Sequence, residues 1–304
     1  MERQYVLGVD IGGSHITAAA LGLHDRQILE KSYTRKHLDA LSTKETILKT
    51  WKNAIFETWT KAGLKETKIG IAMPGPFDYE AGISYMLDNN KFQALYELNV
   101  KEALAWELGI DPSDIVFNND ASCFLAGEVF GGVARNYKKI LGITLGTGLG
   151  SSIYDHGIVR DANLWEMPFR NGIAEDYISS RWFLGRYEEL TGKKIADVKT
   201  LCTLTEGKEL VEEIFTEFSD ALGSFLTAFQ KKGNADAIVI GGNISKAADR
   251  FLAHVVDFMK SNGEEVPILI STFNEHAALV GAGSFWEKVN GESLLSSGGI
   301  LGRH

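Results

Sequence analysis

Two glycine-rich turns, Gly12-Gly13-Ser14 and Gly146-Thr147-Gly148, are where the chain first offers chemistry. Each stands between two short apolar runs rich in β-branched residues, so each reads as a turn joining strand to strand. Glycines there leave backbone N–H groups free to converge on an anion, and a polar neighbour can hold a metal ion or an oxygen atom. Asp10 precedes the first turn and Thr144 stands at the same place before the second. Either turn alone is better explained as a tight hairpin; two at equivalent places read as a phosphate clamp. A third candidate, Asp120, follows the apolar stretch Ile115 to Asn118 and precedes an Ala-rich helix. It has the type and place of a general base, and also those of an ordinary helix N-cap.

The equivalence of the turns comes from an internal repeat. With Leu7 set on Leu141, VLGVDIGGSHITAAA and ILGITLGTGLGSSIY align, an offset of 134 positions in 304 residues. Later parts follow in both halves: Lys68 to Met73 runs into Pro74-Gly75-Pro76, and Ala237 to Ile240 into Gly241-Gly242. Ile115 to Asn118 leads through Asn119-Asp120 into one helix, and Ile268 to Thr272 through Asn274-Glu275 into another. Each half thus reads hairpin, strand, helix, strand, helix, an α/β duplication. The expected domains are 1–130 with 275–304, and 131–274 carrying a largely helical insertion from Ala162 to about Gly233.

Several elements follow from local pattern. Ile28 to Arg35 is expected as one strand. Ser42-x-x-Glu45 spells a capping box ahead of Ile47, Leu48, Trp51, Ile55 and Trp59, a helix ending near Gly63. Asn99 is placed to cap Val100 to Leu108, closed by Gly109. The insertion is expected to be helical over Tyr177 to Glu189 and Glu209 to Lys231. Residues 74–99 lack firm periodicity, and a loop that long in a compact domain is usually functional, so it is expected to face a ligand.

Composition narrows the class. The net charge of −9 comes without a basic run, which disfavours nucleic acid. Two cysteines, Cys123 and Cys202, exclude a disulfide framework and a Cys-rich zinc site. No apolar run reaches membrane-span length, and the first strand begins by about residue 5, so no membrane role and a cytoplasmic location are expected.

Six motifs in order resemble the ROK family of bacterial sugar kinases and related repressors, within the actin-like ATPase superfamily. They are Asp10-Ile-Gly-Gly-Ser14 for DIGGTK, Pro74-Gly75-Pro76 for PGP, Asn119-Asp120-Ala121 for ENDA, Leu145 to Gly150 for LGTGIG, Gly241-Gly242 for the second-half glycine pair, and Ala174 to Ser179 for LExYxS. The resemblance implies two ribonuclease-H-like halves and ATP-dependent phosphorylation of a hexose. It further implies that Gly12, Gly13, Ser14, Gly146, Thr147 and Gly148 hold nucleotide phosphates and that Gly241 and Gly242 lie along the adenosine. Asp10 would face Mg2+ through water, and Asp120 would be the general base. Gly75, Asn90, Asn119, Glu166 and Glu175 match or lie near sugar-binding positions, where a carboxylate can accept from two neighbouring hydroxyls. A homodimer is the family habit.

The chain also departs from the family. Where the family has GExGH and a C-x-C-G-x-x-G-C zinc knuckle, this chain reads Trp165-Glu166-Met167-Pro168-Phe169-Arg170-Asn171-Gly172-Ile173, and nine positions separate Glu166 from Glu175. The knuckle is deleted, so no zinc is expected. Trp165, Met167 and Phe169 are candidates for an apolar plug in its place, or ordinary core. His15 stands where the family has lysine and is expected at a surface or interface. Two other readings remain: a silent sugar-sensing or sugar-binding relative, here without room for a DNA-binding domain before the first strand, and a dinucleotide-binding oxidoreductase. The latter is disfavoured because these glycines join strand to strand, whereas a Rossmann turn opens a helix.

Overall fold

The computed structural model describes residues 4–87, 91–289, 292–293 and 296–297. The chain divides into two compact units, Met1–Arg135 with Gly157–Val159 and Glu275–Gly298, and Asn136–His156 with Arg160–Asn274 and Gly299–His304.

The first unit starts with a hairpin, β1 (Tyr5–Ile11) and β2 (His15–Gly22), followed by β3 (Gln27–Ile28) and β4 (Thr34–His37). The expected single strand from Ile28 to Arg35 is broken by a 3-10 turn at Glu30–Ser32. Ser32 causes the break: its buried hydroxyl accepts from Ala20 N (2.8 Å) and donates to Leu29 O (2.6 Å), replacing a ladder bond. Then come α1 (Lys44–Ala62), β5 (Ile69–Met73), the short pair β6 (Phe77–Asp78) and β7 (Ile83–Ser84), α2 (Val100–Leu108), β8 (Ile115–Asn119) and α3 (Asp120–Phe130). The sheet order is β3-β2-β1-β5-β8, with β4 also on β2; β1, β5 and β8 run parallel.

Helix α1 buries Ile47, Leu48, Trp51, Ile55 and Trp59 on the sheet, as their spacing requires, and Gly63 closes it at φ 72°. Its cap lies one residue later than the capping box spelled. Thr43 accepts from Thr46 N, while Ser42 is drawn into the preceding turn by Asp39. Helix α2 has the expected ends, Asn99 accepting from Glu102 N (3.1 Å) and Gly109 at φ 72°.

The second unit repeats the plan with β9 (Lys139–Leu145) and β10 (Leu149–Asp155), and β11 (Ile158–Asp161), whose second half belongs to this unit, extends the same sheet. Its insertion holds the small hairpin β12 (Pro168–Phe169) and β13 (Gly172–Ile173), then α4 (Ala174–Tyr177), α5 (Ser180–Thr191), α6 (Val198–Cys202) and α7 (Lys208–Gly233). The helix expected over Tyr177 to Glu189 is split at Ile178-Ser179, because Ser179 turns to cap α5, accepting from Trp182 N. After β14 (Ala237–Gly241) come α8 (Leu252–Ser261) and β15 (Ile268–Ile270), in sheet order β15-β14-β9-β10-β11. Phe183, Phe215, Phe218 and Phe225 from α5 and α7 fill its core.

The last helix, α9 (Ala277–Ser284), returns to the first unit and packs on α3 and the sheet. That approach needs glycine: a Cβ at Gly281 would lie 1.7 Å from Cys123 O, and one at Gly70 would lie 1.8 Å from Ala282 O. Each half is thus a mixed α/β layer of ribonuclease-H type.

Candidate active site

In open α/β sheets, ligands gather at the carboxyl ends of parallel strands. Asp10 pairs with Ala72 near the ends of β1 and β5, and Met73 pairs with Asn119 at the ends of β5 and β8. One edge of one sheet therefore carries Asp10, the turn Gly12-Gly13-Ser14, Gly75, Asn119 and Asp120. Tyr79 ties it together, its hydroxyl donating to Met73 O (3.1 Å) and accepting from Asn119 Nδ2 (3.3 Å).

The two readings of Asp120 now separate. Asn119 is the cap of α3, its Oδ1 accepting from Ser122 N at 3.0 Å, and Asp120 is the first helical residue. Asp120 Oδ1 accepts from the next amide, Ala121 N (2.8 Å), and the side chain keeps solvent-accessible surface. Capping, which had explained the aspartate without chemistry, is done by its neighbour. It also occupies one oxygen lone pair of Asn119, a candidate for sugar contact.

The carboxyls are electrostatically crowded. Asp10, half-buried, is raised to about 7 by desolvation and then by the charge of Asp120, with Arg35 opposing and Glu275 adding. Asp120 is raised as well, by the protein packed around it, with the Ala121 amide and then the Lys91 charge pulling it down. Arg35 and Lys91 were not singled out from the sequence. For Arg35 the signal is sheet register: Asp10 pairs with Thr17, and Thr17 with Arg35, so the three share one row of the sheet. Arg35 in turn meets Glu275 at 2.9 Å.

At the first turn, Gly12 N donates to His15 O (2.9 Å). Ser14 Oγ bonds His15 Nδ1 at 2.8 Å, and the His15 ring meets His37 edge-on at 5.7 Å. Burial and the Arg35 and His37 charges lower the His15 pKa, which favours a neutral ring.

In the second unit, Gly146 N donates to Gly148 O (3.0 Å), and Ser180 N, at the start of α5, donates to Gly146 O (2.8 Å). Glu175 lies against this turn. Its Oε2 accepts from Leu149 N (2.9 Å), its Oε1 is paired with Arg181, and a Cβ at Gly148 would sit 2.3 Å from Oε2. Gly241 pairs with Thr144 at the same sheet edge, and Gly242, at φ 85°, lies against the backbone of Leu145. Thr147 is exposed. Glu166 is exposed too, accepting from Asn163 Nδ2 (3.0 Å), and Glu175 N donates to Trp165 O (3.1 Å), which puts the two glutamates on adjoining segments. Asn90 lies outside the described residues.

The segment from Trp165 to Ile173 is braced by the β12–β13 hairpin, by Ala174 N donating to Met167 O (2.9 Å), and by Arg170, which lies over the rings of Phe169 (5.4 Å) and Tyr177 (5.2 Å). Met167 and Phe169 pack against the core, as both the plug and the ordinary-core readings expect. Trp165 does not: it is 41% exposed and its indole N–H donates to Asn163. Among the described residues, no group of three His, Cys, Asp or Glu side chains could hold a metal ion. Magnesium fits such a site differently, since it is commonly held by one or two carboxylates with substrate phosphates and water. The crowding of Asp10 by Asp120 and Glu275 suits a cation at that edge. No described helix is long and apolar enough to cross a membrane.

Two such halves in one chain are the fold of the actin-like ATPases. The ROK family matches residues 6–163, more than half of the chain, and the chain belongs to that family. It is 28% identical over 273 residues to an N-acetyl-D-glucosamine kinase of Pectobacterium carotovorum, covering 78% of this chain and 83% of that one. It is 27% identical over 319 residues to a glucokinase of Thermotoga maritima, covering 93% and 98%. Among solved structures, a ROK family glucokinase from Streptomyces griseus in complex with glucose and AMPPNP superposes with a TM-score of 0.72 at 21% identity, over 92% of this chain and 98% of that one.

Proposed function

We propose that the chain is a sugar kinase that transfers the terminal phosphoryl group of ATP to a hydroxyl of a hexose or N-acetylhexosamine, with Asp120 as the general base. The observation that carries this reading is the division of labour at the start of α3: Asn119 caps the helix, and Asp120 is left with an accessible carboxylate beside Asp10. Bound MgATP would supply the phosphoryl group and offset its charge. Asp120 accepts the hydroxyl proton, and its own Oδ1 bond to Ala121 N fixes the carboxylate plane. Asp10 would hold the magnesium, through water. The turns Gly12 to Ser14 and Gly146 to Gly148 offer backbone N–H groups to phosphate oxygens, and Gly241 and Gly242 border the adenosine. Gly75, Asn90, Asn119, Glu166 and Glu175 are assigned to the sugar. The relatives named above as kinases of glucose and of N-acetylglucosamine support both substrate classes.

The test is coupled-assay turnover with MgATP across glucose, mannose, fructose, allose and the N-acetylated amino sugars. Turnover of any one above background supports the kinase; sugar binding by calorimetry with no turnover of any would make this a sugar-binding relative instead.

A further inference from the structure

The loop between β5 and α2 carries a cation at the glycine turn of the first unit. Phe92 anchors it: the ring is fully buried, meets Trp51 edge-on at 5.7 Å, and the residue holds a left-handed φ of 54° while its amide donates to Ala40 O (2.8 Å). A non-glycine residue held there costs on the order of 1 kcal/mol and persists only where its surroundings over-determine it. Gln93 Nε2 ties the loop to Leu87 O (2.6 Å). From this base the neighbouring Lys91 side chain crosses the β1–β2 turn, so that a Cβ at Gly13 would lie 3.1 Å from Lys91 Cε, 3.3 Å from Cδ and 3.7 Å from Cγ.

Three carbons of the lysine arm thus lie over Gly13, and its charge is felt at Asp120, whose pKa it lowers. No hydrogen bond or ion pair to the ammonium is found among the described residues. An ordinary surface lysine also packs its stem and leaves its head in water. What sets Lys91 apart is where the stem leads, from a buried anchor across the turn that would hold phosphate, within electrostatic reach of the base.

We propose that Lys91 is the cation that meets the transferring phosphoryl group between the Gly12-Gly13 turn and Asp120, a role that rests on the kinase reading above. In the transfer, the sugar oxygen bonds to the γ-phosphorus, and the bond from that phosphorus to the β–γ bridging oxygen breaks with its electron pair leaving on ADP. The hydroxyl proton goes to Asp120. Lys91 keeps its proton throughout and offsets the charge on the equatorial oxygens, the task other phosphotransferases give to lysine or arginine.

Lys91→Met keeps the stem over Gly13 and removes only the charge, so a merely structural lysine would not notice it. Calorimetric titration with AMPPNP and with ADP, both with magnesium, reads the contact without turnover. AMPPNP affinity should fall about tenfold while ADP affinity stays within about twofold, since a charge-assisted contact to the terminal group is lost. Turnover should fall roughly a hundredfold, with Lys91→Arg recovering most of it. Equal losses for both nucleotides, or an unchanged ratio with turnover within about twofold of wild type, would overturn the role of Lys91 and leave the kinase standing. A wild-type protein that binds neither nucleotide would overturn both.

Discussion

At the first glycine turn Gly12 N–H closes on His15 O at 2.9 Å, and at the second Gly146 N–H closes on Gly148 O at 3.0 Å. The sequence repeat therefore becomes a hairpin in each half, although the second turn is one residue tighter, with Leu145 paired to Leu149 where the first hairpin pairs Ile11 to Ile16. The side chain lying directly on a glycine of each turn is opposite in sign. Over Gly13 lies a lysine, with carboxylates Asp10 and Asp120 at the strand ends beside it; against Gly148 lies a glutamate, neutralised by Arg181 and bonded to the Leu149 amide. Where the first unit has Asp10 the second has Thr144, half-buried and uncharged. On the proposed reading, duplication supplied two anion-binding turns, and divergence put the acid–base chemistry on one of them. The second turn is the better buttressed, with two partners holding its glutamate and the α5 amide of Ser180 on its carbonyl.

The largest expected effect tests the chemical half of that division. Asp120→Asn should lower turnover by roughly two to four orders of magnitude, the usual share of a general base. Melting temperature should not fall, because Asn119 keeps its cap on Ser122 N and the new amide oxygen can still accept from Ala121 N; above neutral pH it should rise slightly, since the repulsion between Asp120 and Asp10 is removed. Turnover near wild type on protein that binds sugar normally would return Asp120 to a structural role.

Next is the buttressed turn. Gly148→Ala puts a methyl 2.3 Å from Glu175 Oε2, an atom pinned by Leu149 N and Arg181, whereas the nearest atom to a Cβ at Gly146 is Gly148 O at 4.0 Å. We expect Gly148→Ala to weaken nucleotide binding by about tenfold to a hundredfold, as overpacking a rigid spot costs on the order of 1 to 3 kcal/mol. Gly146→Ala should be near neutral. Equal effects in a nucleotide titration would show that Glu175 is not rigid.

Glu175 and Glu166 separate the second turn from the sugar. Glu175→Gln weakens a charged bond to the Leu149 amide, so it should cost about tenfold in nucleotide affinity as well as in sugar affinity. Glu166→Gln, exposed and touching only the Asn163 amide among described partners, should lower sugar affinity alone. Parallel titrations of both ligands decide it; a Glu175→Gln protein with normal nucleotide affinity would free that residue for the sugar.

How far these features could be read from sequence depended on whether the signal was local. Helix α2, with Asn99 and Gly109 at its ends, the turn at Gly12-Gly13, and the Asn119-Asp120 junction all follow from a few adjacent residues. The cap at Thr43, the break at Ser32 and the split at Ser179 each turned on which of several neighbouring hydroxyls wins a backbone partner, a choice made by tertiary packing. Lys91 and Arg35 were invisible for a stronger reason. Lys91 lies in no periodic or motif-bearing stretch, and Arg35 only ends an expected strand; one is placed by a buried phenylalanine beside it and the other by sheet register two strands away from Asp10.

The smallest expected effect tests the contrast between Asp10 and Thr144 directly, through stability in the absence of nucleotide. Burial and the neighbouring Asp120 charge raise the folded Asp10 to about 7 from its ordinary 3.8. Between those values the folded protein binds more protons than the unfolded chain, so stability falls as pH rises from about 4 to about 7 and levels off above. Asp120, raised in the same direction, adds to the slope. Asp10→Asn removes the ionisation and relieves Asp120 of a neighbouring charge. At pH 8 the variant should therefore be more stable than wild type by on the order of 1 kcal/mol, a fraction of the full shift because water still reaches a half-buried carboxylate. Near pH 4 the two should converge. Thr144→Val has no ionisable group to change, and its difference from wild type should be flat with pH. Urea midpoints at pH 4, 6 and 8 suffice to measure this. An Asp10→Asn curve parallel to wild type would mean that Asp10 is already charged at neutral pH without a cation, and that the electrostatic difference between the two turns is smaller than their side chains suggest.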